Sequence, residues 1–122
     1  MPNDKIQNGT LPSKKSTERF DMLLPMLDSA LSEMKELSKK KQDGVLNPLK
    51  VKLINRLLNE IKSILSSEDS ITYLDILDED TLPQNSDAVL ILGQFRAAMS
   101  QYSHKYYDFD GLTHRWFTIE NP

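Results

Sequence analysis

Three stretches of this chain carry apolar side chains at the spacing of a single helix face. The first runs Phe20, Leu23, Leu24, Leu27, Ala30, Leu31, Met34 and Leu37; the second Val51, Ile54, Leu57, Leu58, Ile61, Ile64 and Leu65; the third Ala88, Ile91, Leu92, Phe95, Ala98, Met99, Tyr102 and Tyr106. Steps of three and four residues place each set on one stripe of a 3.6-residue helix, and a stripe of that kind is buried against another. The pattern predicts an all-α fold: a small helical bundle of three long amphipathic helices. Ile71, Leu74 and Leu77 add a short fourth helix.

Punctuation between the stripes sets the boundaries. Asn47 followed by Pro48 is a start signal, an amide that accepts from free N–H groups before a residue that lacks its own. Ser16 or Thr17 is the expected cap of the first helix, with Glu18 and Asp21 in its first turn, and Ser86 that of the third, with Asp87 following. Lys39 to Lys41 suit the negative end of the first helix, and Gly44 is the expected left-handed residue beyond it. Pro25 removes one hydrogen bond from the first helix, so that helix either kinks or begins there. The first two helices, joined by a few residues, form an antiparallel hairpin.

Residues 1–15 combine Pro2, Asn3, Asn8, Gly9 and Pro12 with few apolar side chains, the composition of a flexible tail before a single domain over 16–122. They hold no apolar h-region, and no run in the chain is long enough to span a bilayer, so the expectation is a cytoplasmic protein without a membrane. A chain of 122 residues without cysteine builds one core and has no disulfide or thiolate chemistry.

Catalytic and metal-binding patterns are weak. The acidic groups Asp75, Asp78, Glu79, Asp80 and Asp108, Asp110 lack the glycine and distal glutamate of a calcium loop. Four glycines supply no phosphate-cradling loop, and no Gly-x-Ser-x-Gly elbow occurs. No cofactor is expected. His104, with Arg96 and Tyr107 nearby in sequence, is the acid or base that an enzyme reading would require. Residues 1–66 carry a net charge of +4 and residues 67–122 of −7. Lys39 to Lys41, Lys50, Lys52 and Arg56 make nucleic-acid association the principal alternative, opposed by the acidic second half and by the lack of interleaved aromatics.

The third helix and the segment after it stand out. Leu90, Gly93, Ala97 and Ser100 form a second, uncharged face suited to close approach by another helix. Six of the nine aromatic residues lie between Tyr102 and Phe117, and aromatics anchor cores and interfaces alike. Tyr106, Tyr107, Phe109, Trp116 and Phe117, on an aromatic C-terminal arm, complete the expected partner-binding set. The sequence thus points to a non-enzymatic regulatory, adaptor or accessory protein that binds another protein or a second copy of itself.

Overall fold

The computed structural model describes residues 11–122. Helix α1 spans Lys14–Lys40, α2 spans Pro48–Ile64 and α3 spans Asn85–Tyr106. A five-residue 3-10 helix, Asp69–Tyr73, precedes α3, and two antiparallel strands, β1 (Tyr107–Phe109) and β2 (His114–Trp116), follow it. The chain is mostly helical with one small sheet.

Ten residues of the expected tail, 1–10, lie outside the described residues; 11–15 belong to the fold. The cap of α1 is Ser13, not Ser16 or Thr17: its Oγ accepts the Ser16 N–H at 3.0 Å. With that start, Glu18 and Asp21 fall beyond the first turn, and the negative charge at the positive end of α1 comes from Glu120, whose Oε1 accepts the Lys14 N–H at 2.9 Å. The Ile119 N–H donates to the Pro12 carbonyl at 3.0 Å beside it. Sequence spacing could not choose among three hydroxyl residues, because a partner more than a hundred residues away helps to set the start. Helix α1 runs continuously through Pro25, which rules out a start there.

Asn47 caps α2 as expected, its Oδ1 accepting the Lys50 N–H at 2.8 Å. Gly44 is not left-handed; the glycine with positive φ among the described residues is Gly111, at 103°. Gly44 serves close approach, since a Cβ there would lie 2.8 Å from Asn85 Nδ2. The Gly44 and Gln42 carbonyls accept the N–H groups of Asn85 and Ser86 at 2.7 and 3.1 Å. Loop carbonyls therefore satisfy the first free amides of α3. The cap of that helix is Gln84, two residues before the expected Ser86, and Asp87 Oδ2 accepts the Gln84 N–H at 3.1 Å.

Helix α1 runs antiparallel to both of the others. Arg19 near its start pairs with Glu60 near the end of α2, and Met34 shares a groove with Lys50. On its other side Phe20 stacks on Tyr102 at 5.4 Å, and Asp28 accepts from Arg96 Nε at 2.6 Å. The most extensive helix contact is that of α1 with α3. Leu27, Leu58, Ile61, Leu92, Phe95 and Met99 form the centre of the core.

The expected short helix over 71–77 is only partly present. The 3-10 helix ends at Tyr73 and the chain then extends, with Leu74 and Leu77 buried. Asn55 on α2 holds this segment: Nδ2 donates to the Leu77 carbonyl and Oδ1 accepts the Leu77 N–H, both at 2.8 Å. A side-chain amide here plays the part of a neighbouring strand. Asn55→Ala should cost ~2–4 kcal/mol, because it leaves the buried amide and carbonyl of Leu77 unpaired; a urea midpoint lowered at unchanged slope would register the loss.

Candidate functional site

The aromatic arm is a β-hairpin folded onto its own helices. Registry sets Tyr107 opposite Trp116 and Phe109 opposite His114, so these four rings share one face. Trp116 meets Phe20 edge-on at 5.0 Å and Tyr107 at 5.4 Å, and His114 lies 5.2 Å from Phe109. The ladder runs from the core to an exposed tip, where Phe109 is 52 % accessible and Leu112 is 92 %. Trp116 Nε1 also donates to Asp21 Oδ2 at 3.3 Å. On the other face the Arg115 guanidinium covers the Phe117 ring at 4.1 Å.

Of the expected partner-binding residues, Tyr106 is misplaced. Its side chain is buried among core aromatics, and its hydroxyl donates to Glu68 Oε2 at 2.8 Å. Burial, with that hydrogen bond second, pushes its phenol well above the ordinary tyrosine range. The helical period assigned Tyr106 equally to the main stripe of α3, and core packing claims it. Trp116 and Phe117 are half-buried, while Tyr107 and Phe109 present surface.

On α3, Leu90, Ala97 and Ser100 are exposed and Gly93 is partly so. Leu90 is 64 % accessible, and a Cβ on Gly93 would meet no atom within 4 Å. Ala97 flanks a hollow with Tyr73 and Gln101, whereas Ser100 accepts from Arg96 Nη1 at 2.6 Å and faces a different cleft.

That second cleft, of about 360 Å³, gathers Arg96, Ser100, Ser103, His104 and Tyr107 over Phe20 and Leu24. It places together the side chains that an enzyme reading would use. The Arg96 guanidinium is engaged by Asp28 and Ser100.

The acidic groups build turns. Asp78 accepts from the Asp80 N–H at 2.8 Å and from the Thr81 hydroxyl at 2.8 Å, contacts that hold its carboxyl below the usual range, with the Asp80 amide foremost. Asp110 accepts the Thr113 and Leu112 N–H groups, each at 2.9 Å, and Arg115 Nε at 2.8 Å. Its pKa is lowered to about 2, chiefly by the Thr113 amide. Of the basic residues, Lys39 pairs with Glu36, Arg19 with Glu60, and Lys50 borders an apolar groove. Among the described residues no helix is long and apolar enough to cross a membrane.

That groove, between α1 and α2, is the feature the sequence reading missed. Ala30, Met34, Leu53, Ile54 and Leu57 line about 160 Å³, with Glu33 and Lys50 at the edges. Leu53, in its wall, is half exposed, and Met22 and Met26 on α1 and Leu49 on α2 are each more than half exposed. The signal was the four-residue step from Met22 to Met26 and from Leu49 to Leu53, a second apolar line outside each main stripe. No protein-family model, curated protein or solved structure matches the chain.

Two expectations test these assignments. Gly93→Ala should raise stability by ~0.5–1 kcal/mol, the gain of a helix-interior methyl that meets nothing; a lowered denaturation midpoint would mean that α3 is covered on that side. Because the folded pKa of Asp110 lies below the ordinary 3.8, its contribution to the hairpin is complete above that value and fades as pH falls toward 2. Amide protection of Leu112 and Thr113 should persist at pH 3.5, and the carboxyl resonance of Asp110 should titrate near pH 2 and not near 4.

Proposed function

We propose that this protein is a non-enzymatic regulatory or adaptor protein of the cytoplasm, which acts by binding protein and has a second copy of itself as its first partner. The observation that carries the reading is the apolar face of α1 and α2. Met22 and Met26 on α1 and Leu49 and Leu53 on α2 leave methyl and thioether groups in water, and Leu53 lines a groove between the two helices with Leu57 and Met34. A contiguous exposed patch of this kind marks an interaction surface, and methionine adapts its shape to what covers it.

Charge favours a second copy as the occupant. Glu33 edges the groove on α1 and Lys50 edges it on α2. A two-fold axis parallel to the helices lays α1 of each protomer over α2 of the other. That arrangement brings the acidic edge of one copy to the basic edge of its partner, twice over. The two hairpins then form a four-helix layer in which adjacent helices are antiparallel, and each three-helix unit becomes part of a larger bundle. Leu90, Gly93, Tyr107 and Phe109 remain outside this interface, free for the protein that the dimer serves.

Light scattering across a concentration series tests the assignment. The wild-type chain should be dimeric at micromolar concentration, and Leu53→Glu should raise the dimer dissociation constant at least about tenfold with helical circular dichroism unchanged. Gly93→Leu should leave the dimer intact. A monomer at every usable concentration would overturn self-association.

A further inference from the structure

A hollow of about 190 Å³ opens where the 3-10 helix meets α3, between Tyr73 and Leu74 on one side and Ala97 and Ala98 on the other, with Gln94 and Gln101 in the same wall. Tyr73 is 76 % exposed, and Leu90 on α3 is exposed as well. Leu90, Gln94, Ala97 and Gln101 follow one another at steps of four, three and four residues, a single stripe about 16 Å long. All four are exposed and none is charged. Arg96, on the same helix, is turned toward Asp28 of α1.

Carboxylates border this stripe. Between Lys62 and Arg96 the chain has no Lys, Arg or His, and it has seven Asp or Glu. The structure lays that acidic stretch along α3: Glu68 accepts from the Tyr106 hydroxyl at the end of the helix, Tyr73 and Leu74 share the hollow with its middle turns, and Gln84 caps its start. Residues 68–84 therefore run antiparallel to α3, and Asp69, Asp75, Asp78, Glu79 and Asp80 are exposed on the way. Asp69 and Asp75 adjoin in the chain Ser70 and Leu74, which line the hollow. Among the described residues only Glu68 of this stretch has a basic partner, Lys105 Nζ at 3.5 Å.

This combination selects its occupant. The hollow accepts one large apolar side chain as an anchor, and the two glutamines can donate and accept beside it. Unpaired carboxylates along the border attract Lys and Arg on either side of that anchor, and they repel nucleic acid, anionic lipid and acidic protein. The acids do not converge on one point: no group of three among the described residues is placed to hold a metal ion, so their complement is a row of cationic side chains. A second copy presenting the same face would set acid against acid across a two-fold axis. A straight stripe of three turns matches an amphipathic helix, whose anchors recur at the same three- and four-residue steps. We infer that this face of α3 is a docking site for a basic amphipathic helix of a partner protein, laid along Leu90 to Gln101 with one large apolar side chain in the hollow and Lys or Arg toward Asp69 and Asp75. The inference rests on the reading of this chain as a protein-binding one, and it uses a face other than the α1–α2 groove.

Fluorescence anisotropy at about 0.15 M salt, with a labelled Leu/Lys peptide whose leucines share one helix face, tests the assignment beside a scrambled peptide of the same composition and a Leu/Glu counterpart. The patterned Leu/Lys peptide should bind the full chain saturably, with NMR shifts at Tyr73, Gln94, Ala97 and Gln101. Asp69→Lys combined with Asp75→Lys should raise its dissociation constant at least about tenfold, and Ala97→Arg, which fills the hollow, should do the same with helical circular dichroism unchanged. The charge reversals, at exposed positions, decide the matter if Ala97→Arg does not fold. Leu53→Glu should leave the affinity unchanged, and a chain that still dimerises by light scattering but does not bind the peptide overturns this proposal alone. It is overturned equally by binding of the scrambled or Leu/Glu peptide as tight as that of the patterned one, by shifts confined to the α1–α2 groove, or by affinities indifferent to both sets of substitutions. A wild-type assembly larger than a dimer that Ala97→Arg dissolves would overturn it as well, since the occupant would then be the basic half of another copy.

Discussion

The stack of Phe20 on Tyr102, closed edge-on by Trp116, is the contact on which the rest of this structure depends. Three aromatic rings from α1, α3 and the hairpin meet at one point, and each removes a large apolar area from water while fixing the others geometrically. Through it α1 becomes the shared partner of α2 and α3, and the chain after α3 returns to the start of α1 and does not extend into solvent. The bond from Ile119 to Pro12 and the carboxylate of Glu120 over the first turn of α1 follow from that return.

The same contact explains where polar chemistry is enclosed and where apolar surface is left over. Rings packed on both sides of Tyr102 enclose its hydroxyl, which has no hydrogen-bond partner among the described residues. Because the main stripe of α1 is spent on this junction and on the core below it, the neighbouring Met22 and Met26 remain more than half exposed among the described residues. Leu49 and Leu53 on α2 are exposed in the same way, and Leu53 lines the groove between the two helices.

Much of the helical framework was legible in the residues. The cap at Asn47 and Pro48, the antiparallel hairpin and the stripes of the three helices all arise from interactions within a few positions, where spacing and residue type are decisive. The caps of α1 and α3 were misread because their amides are satisfied from elsewhere: Glu120 reaches Lys14, and the carbonyls of Gln42 and Gly44 reach Ser86 and Asn85. Asn55 gave no sign of its role, since an amide within an apolar stripe becomes intelligible only when the Leu77 backbone is beside it. Among the expected partner-binding positions, Leu90, Tyr107 and Phe109 are exposed, whereas Tyr106 sits on a stripe whose period serves core and surface alike and is buried.

The sequence by itself determined that the chain would be helical, where its principal helices would lie and which face of each would be apolar, because periodicity and local capping are properties of neighbouring residues. Only the tertiary structure decided which apolar positions stay exposed, that the aromatic arm is a hairpin on its own core, and that the Tyr102 hydroxyl is enclosed among rings. Those outcomes depend on how three helices share limited surface, a competition among residues far apart in the chain that no local spacing records.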